Sequence, residues 1–469
     1  MLFDEWQNIE NNWQYFKVKA SPSTSANRWV GFRKRDYIHR MELNNRKTIN
    51  AWCSYDLANS VYNLIITTAI FPIYYTSITE KEDGSDLIHF FGIQFDASVL
   101  YSYAISLSFL IAVALYPVLS GLADYRGNKR GFMRFFTYLG SAACMGLFFF
   151  DGNSIELGII LAIIASLSYA SSVVFYNAFL PEIASEEMMD GVSAKGFSMG
   201  YLGSVFLLII CLVMITTPTT FSLSDAGVAT RVSFILVGAW WFGFSHIALG
   251  TLKDRPIKQP FNTMALQKGI KELQKVLAAI LPKKNIKLFL SSFFFYSTGV
   301  QTVMLLSPLF AASVVGMEGT EMIVVILIIQ LVAIAGATLF AKIAQRHGNK
   351  SSLIVSVLIW LGICVAGFFI QDKIAFYALA GVLGLVMGGI QSVSRSTFAK
   401  LIPTSTTDTA SYFSFYDTTE KAAIVIGTFS YGLIEQVSGN MRNSILFMGV
   451  FFIIATLILN KTKLNHISN

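Results

Sequence analysis

Long apolar runs separated by short polar turns dominate this chain. Twelve such runs occupy residues 50–78, 97–123, 131–151, 155–184, 193–216 and 230–252, then 286–313, 319–345, 350–371, 374–402, 409–436 and 443–460. About 20 apolar residues in a helix cross the roughly 30 Å hydrocarbon core of a bilayer. Only a helix satisfies its own backbone hydrogen bonds over that distance. The pattern therefore predicts an all-α polytopic membrane protein with twelve transmembrane helices. Gly and Pro inside the runs (Pro72, Pro117, Pro308, Gly388, Gly389) suit helices that kink or pack closely in lipid. Residues 253–285 interrupt the series. There Leu266, Ile270, Leu273, Val276, Leu277 and Ile280 form one stripe at helical spacing, with Lys268, Lys271, Lys275, Lys283 and Lys284 on the other side. This predicts an amphipathic helix lying on the inner leaflet and ended by Pro282, or alternatively a solvated linker helix.

The runs fall into two sets of six, and short motifs repeat between the sets. Ala123-Asp124-Tyr125-Arg126-Gly127-Asn128-Lys129 recurs as Ala344-Gln345-Arg346-His347-Gly348-Asn349-Lys350, 221 residues later, and Pro181 recurs as Pro403. A duplicated bundle of two pseudo-symmetric six-helix halves is expected, as in many secondary transporters. The expected organisation is a cytoplasmic N-terminal extension (1–48), a first bundle (49–252), the linker (253–285), a second bundle (286–460) and a cytoplasmic tail (461–469). The polar, irregular first forty residues resemble neither a signal peptide nor the rest of the chain. Met41 reads as an alternative start, and disorder is expected before it.

Composition agrees: 54% of residues are hydrophobic, 13% are charged, and mean hydropathy is +0.57. Among the 35 Lys and Arg, only Lys81, Arg231, Lys373 and Arg442 fall in loops assigned outside. The positive-inside rule thus places both termini in the cytoplasm and explains the net charge of +7 without nucleic acid. The outer loops carry Glu80, Glu82, Asp83, Asp86, Glu318 and Glu321. One inner loop dissents, with Glu182, Glu186, Glu187 and Asp190. Cys53, Cys144, Cys211 and Cys364 stand singly in apolar runs and read as packing residues, not disulfides. No phosphate-cradling loop and no metal-ligand spacing is seen, and His246 stands alone as a packed or interfacial residue. No enzyme, catalytic residue, cofactor or metal is expected.

Ionisable groups inside membrane helices are costly and mark functional sites. Trp52, Tyr55, Asp56, Asn59 and Tyr62 recur near one face of the first helix. Asp56 is expected either in a substrate cavity or paired with a basic residue of a neighbouring helix. Asp417 and Lys421, four apart, share a face and suit an intrahelical pair. Glu420, turned about 100° from Lys421, is then left to pair elsewhere or to titrate. Arg395 suits a substrate carboxylate, helix-end carbonyls or Glu420. Proton coupling through Asp56, Asp417 or Glu420 is one expectation; structural ion pairing is the other.

Ser120-Gly121-Leu122-Ala123-Asp124-Tyr125-Arg126-Gly127-Asn128-Lys129-Arg130 resembles the helix 2–3 motif of the major facilitator superfamily, with Ser120 and Tyr125 as departures. The stretches Tyr55-Asp56-x-Ala58-Asn59-Ser60-x-Tyr62, Phe175-Tyr176-Asn177-Ala178-Phe179-Leu180-Pro181-Glu182, Gly299-Val300-Gln301-Thr302, Gly389-x-Gln391-x-x-Ser394-Arg395-Ser396 and Tyr416-Asp417-x-x-x-Lys421 are similar to its vacuole-effluxer-like (UMF) branch, which includes a fungal autophagy-linked amino-acid exporter. Ser297-Thr298 stands where many members carry Asn-Asp. The resemblance implies a major facilitator fold and an alternating-access transporter exporting amino acids or related metabolites. The alternatives are a lipid, amphiphile or drug exporter on the same fold, and a non-transporting scaffold or receptor. Expected cavity residues are Asp56, Asn59, Tyr62, Tyr176, Asn177, Gln301, Gln391, Arg395, Asp417, Glu420 and Lys421. Asp124, Arg126, Gly127 and Lys129 form the expected gating loop, whose Asp in the superfamily pairs with arginine in one state. The second copy, around Gln345, lacks the acid and is expected to serve topology and packing. The expected setting is a monomer in a bacterial inner membrane, partnered by the bilayer and a small solute.

Overall fold

The computed structural model describes residues 43–80, 87–254 and 263–464. Most of the N-terminal extension, Lys81, Glu82, Asp83, Asp86 and the last tail residues lie outside the described residues, as does the side chain of Leu266. Helix α1 spans Arg46–Thr79. It begins where Asn45 accepts from the Lys47 and Thr48 amides, which orphan donors at a helix start require. It widens into π-type turns over Tyr62–Ala69 and resumes at Phe71–Thr79. Such widening inside a helix is frequent at functional sites, and here it starts one turn beyond Asn59. A hairpin follows, β1 (Leu87–Phe90) with β2 (Ile93–Asp96). Its turn places Phe91 and Gly92 at positive φ, as a two-residue hairpin loop needs.

The remaining helices of the first half are α2 (Ala97–Arg126), α3 (Lys129–Gly146), α4 (Ile155–Asn177), α5 (Glu186–Thr216) and α6 (Ala226–Thr251). After the linker helix α7 (Thr263–Ile280) come α8 (Lys284–Val315), α9 (Gly319–His347), α10 (Asn349–Phe369), α11 (Lys373–Leu401), α12 (Thr409–Ser438) and α13 (Met441–Lys461). Among the described residues, eleven helices are long and apolar enough to cross a membrane. Of the long helices packed into the two halves, α12 alone misses that measure. It is 30 residues long but carries Asp417, Glu420 and Lys421 near its middle. It packs among α2, α8 and α13 as a further span. Large apolar side chains such as Leu110, Leu202, Phe206 and Leu457 stay exposed on the outside of the bundle, as expected where lipid completes the burial.

The halves meet along two matching seams: α2 against α12, and α5 against α9 and α11. The loops joining α2–α3 and α9–α10 emerge on one face, called here the basic face. Several helices extend past their apolar runs toward this face. Thus α5 starts at Glu186, seven residues before its apolar run at 193, with Glu186 and Glu187 in the first turn where the helix dipole favours acids.

The linker helix does more than rest on a leaflet. It packs along α2, where the backbones of Gly121 and Gly269 meet. Val276 and Ile280 are buried, while Ile270 and Leu277 stay exposed. Lys268 lies over the Tyr125 ring at 5.3 Å, and Lys275 reaches Glu272 (2.9 Å) and Asp408 (3.4 Å) beside the start of α12. The hydrogen bond to Glu272, with help from Asp408, holds the Lys275 ammonium above its ordinary value.

Candidate functional site

The deepest polar layer is built on an ion pair between the halves. Arg395 of α11 donates to Asp56 of α1 through Nη1 (3.0 Å) and Nη2 (3.1 Å), both on Oδ2. The Tyr176 hydroxyl of α4 donates to the same oxygen at 2.7 Å. Two further guanidinium donors go to Ser193 of α5, Nε to its hydroxyl (2.9 Å) and Nη2 to its carbonyl (2.8 Å). Three rings surround the cation: Phe197 at 4.1 Å, Trp52 at 4.8 Å and Tyr176 at 5.5 Å. Trp52 and Tyr176 stack at 4.4 Å, and the Trp52 indole donates to the Tyr176 carbonyl. A planar, delocalised guanidinium suits this combination of hydrogen bonding and stacking; an ammonium does not. One turn away, the Tyr201 hydroxyl donates to Gln391 Oε1 (2.6 Å), a second polar contact between halves.

A second cluster lies on α12. Lys421 donates to Glu420 (3.0 Å) and leans over the Phe109 ring of α2 at 5.6 Å, while Gln301 of α8 donates to the other Glu420 oxygen (3.0 Å). This corrects the expected Asp417–Lys421 pair. The long Lys421 stem folds back beside its own neighbour, and Gln301 holds Glu420 within its reach. The option of Glu420 as partner of Arg395 is corrected too, since Asp56 takes that role. Asp417 is 4% exposed and its Oδ2 has no hydrogen-bond partner. Asn177 sits beside it at the end of α4 with its Oδ1 unpartnered.

Two expected cavity residues lie elsewhere or act differently. Tyr62 packs inside the first half against Tyr169 and Trp241, not between the halves. Six residues at about 100° each carry it roughly 120° round the helix from Asp56. Asn59 is 1% exposed, and its Nδ2 has no partner.

The basic face holds two locks. In the first, the Asp124 carboxylate at the end of α2 accepts the backbone N–H groups of Ser411 (2.7 Å) and Ala410 (3.3 Å) in the first turn of α12. An acid at a helix N-terminus meets both free donors and the positive dipole end. Lys129, starting α3, bonds Glu182 and the Thr409 hydroxyl (2.5 Å) and lies 3.9 Å from Asp124. Gly127 closes α2 in the left-handed region (φ 64°, ψ 30°), and Arg126 is the last residue before it. In this conformation helix-end amides and Lys129 hold Asp124.

The second lock is built on Asp190 of α5. Its Oδ1 accepts from Ser396 (2.7 Å) and Asn349 Nδ2 (2.8 Å), and its Oδ2 accepts from Lys400 (2.6 Å). Lys400 also donates to Asn349 Oδ1 at 2.9 Å. The second loop copy is therefore more than packing, which corrects that expectation. Asp190, Ser193, Asn349 and Lys400 escaped the sequence reading of the site. The signal was there: Glu182 and Asp190 belong to the acidic loop that dissented from the charge rule, and each is matched to a lysine.

Two helical halves, closed on one face by paired ionic locks over a buried charged layer, define a membrane transporter of the major facilitator class. The chain belongs to the vacuole effluxer Atg22-like family, whose model matches residues 44–466. The MFS-type transporter YxiO of Bacillus subtilis is 30% identical over 418 residues, covering 88% of this chain and 94% of the relative. Autophagy-related protein 22 of Yarrowia lipolytica is 28% identical over 460 residues, covering 78% and 76%. In fold, the chain resembles the major facilitator transporter FucP in its outward conformation (TM-score 0.65, 14% identity, 89% of this chain and 100% of that one). It also resembles the proton:xylose symporter XylE bound to 6-bromo-6-deoxy-D-glucose (TM-score 0.67, 13% identity, 88% and 95%).

Proposed function

We propose that this protein exports amino acids or related small metabolites by alternating access, with the basic face in the cytoplasm, and that Asp56 couples export to proton entry. The carrying observation is the Asp56–Arg395 pair, buried between the halves and held further by Tyr176 and Ser193. Protonating Asp56 removes the charge that holds Arg395. The guanidinium is then free to meet a solute carboxylate, and α1 and α11 lose their strongest tie. A bundle that only served as a scaffold gains little from such a pair, because apolar packing is as stable. The efflux named in the family description supports solute transport, and the loop charges support the sidedness.

Flux in proteoliposomes, with an amino-acid panel and an imposed pH gradient, tests this reading. Gradient-dependent movement of at least one amino acid is expected; none for any member contradicts it. Asp56→Asn should abolish gradient-driven flux while sparing exchange. Unchanged gradient dependence in that variant removes Asp56 as the coupling residue.

A further inference from the structure

We propose that Asp417, with Asn177 and Tyr116, forms a monocation pocket that takes the protonated amine of the transported solute. This rests on the reading of the protein as an exporter of amino acids or related metabolites, and it names which pole of the solute binds where.

The argument begins with charge. Between the halves lie Asp56, Arg395, Asp417, Glu420 and Lys421, and two of these acids are already matched. Asp56 is held by Arg395 at 3.0 Å and Glu420 by Lys421 at 3.0 Å. Asp417 is left over. Its carboxylate is buried on α12 and joins none of the ion pairs among the described residues, the nearby Lys421 being held by Glu420, and its Oδ2 lacks any hydrogen-bond partner. An unmatched carboxylate at this depth is strongly unfavourable unless a cation or a proton joins it.

Two further unpartnered polar atoms belong to residues that interact with Asp417. The Asn177 side chain adjoins Asp417 and is 4% exposed, with its carbonyl oxygen unpartnered. Tyr116 of α2 is 2% exposed, its hydroxyl is unpartnered, and it lies within electrostatic reach of Asp417 and Glu420. An ammonium has three donors and no acceptor. A carboxylate, an amide oxygen and a phenol oxygen supply three acceptors from three helices, α12, α4 and α2. Hard divalent cations want six or more oxygens or an octahedral shell of them, and a single unmatched carboxylate favours a single positive charge. Lys421 does not fill the place because Glu420 and the Phe109 ring hold its ammonium.

The pocket also divides the solute. Arg395 is the matching group for a carboxylate and Asp417 for an amine, so a zwitterion needs both, whereas a plain carboxylic acid leaves Asp417 unmatched.

Binding is measured on the purified full-length protein at neutral pH by the rise in melting temperature, with two probes of like shape: isopentylamine and isocaproate. Isopentylamine should stabilise the wild type. Asp417→Asn should bind it about tenfold or more weakly, the loss expected for one charged hydrogen bond. Tyr116→Phe and Asn177→Leu, which keep the packing, should each weaken it less. No shift with isopentylamine, or an undiminished shift in Asp417→Asn, overturns the pocket. If Asp417→Asn fails to fold, Tyr116→Phe and Asn177→Leu decide, and unweakened binding in both overturns it as well. Absence of amino-acid flux together with an intact isopentylamine shift contradicts the proposed function and leaves the pocket standing.

Discussion

The two locks on the basic face occupy equivalent places and use opposite arrangements of charge. In the first, the acid is on the loop side, Asp124, and the receiving helix α12 offers Ser411 and its backbone. In the second, the loop side offers Gln345 and Asn349, and the acid sits on the receiving helix α5 as Asp190. The numbering makes the exchange plain: 124 to 345 and 190 to 411 are both steps of 221. Duplication thus preserved a requirement, one carboxylate per seam, rather than a residue. The looser lock uses helix-end amides and a lysine at 3.9 Å; the tighter one gathers three side-chain donors, including Lys400 at 2.6 Å.

The difference predicts unequal damage. Asp190→Asn strands Lys400 beside a neutral partner and should weaken closure by about 3 kcal/mol or more, as for a broken buried pair. Asp124→Asn keeps one acceptor for the α12 amides and leaves Lys129 with Glu182, so about 1–2 kcal/mol is expected. Spin labels at Glu187 and Arg346, both exposed across the second seam, report the first change as a longer distance. The four native cysteines are buried and stay out of the labelling. Equal effects of the two substitutions would dissolve the distinction between the locks.

The turn glycines sharpen it further. Gly127 is in the left-handed region, which other residues enter at about 1 kcal/mol. Gly348 has φ 84° and ψ 152°, close to a region that only glycine occupies comfortably. Gly348→Ala should therefore cost about 1–3 kcal/mol and more than Gly127→Ala, read as melting temperatures. The smallest effect is expected at the linker. The Lys275 side chain is 66% exposed and its pairs with Glu272 and Asp408 are worth about 0–1 kcal/mol, so Lys275→Ala should leave the melting temperature nearly unchanged.

How much of this the sequence carries depends on range. The spans were legible because lipid imposes a length and a composition on each. Helix α12 stood out as the span with charges at its centre. The repeat was legible because Gly127 and Gly348 punctuate the same turn. Pairings were not. Asp56 and Arg395 are 339 residues apart, and nothing local in either helix chooses between that partner and Glu420. The π-type turns after Val61 leave no mark in apolarity, and the hairpin at Leu87–Asp96 is too short to outweigh its loop setting. Asp190 was missed because apolarity sees only the part of α5 inside lipid, and its polar first turns read as loop.

The exchange of charge between the locks is tested most directly by rebuilding one lock in the pattern of the other. Gln345 already faces the start of α5, where its amide lies near Gly191. With labels at Glu187 and Arg346, Asp190→Ser should lengthen the distance across the second seam. Adding Gln345→Asp should restore the short distance, because it returns one carboxylate to this seam. A seam that stays closed in Asp190→Ser, or stays open in the double variant, would contradict the account.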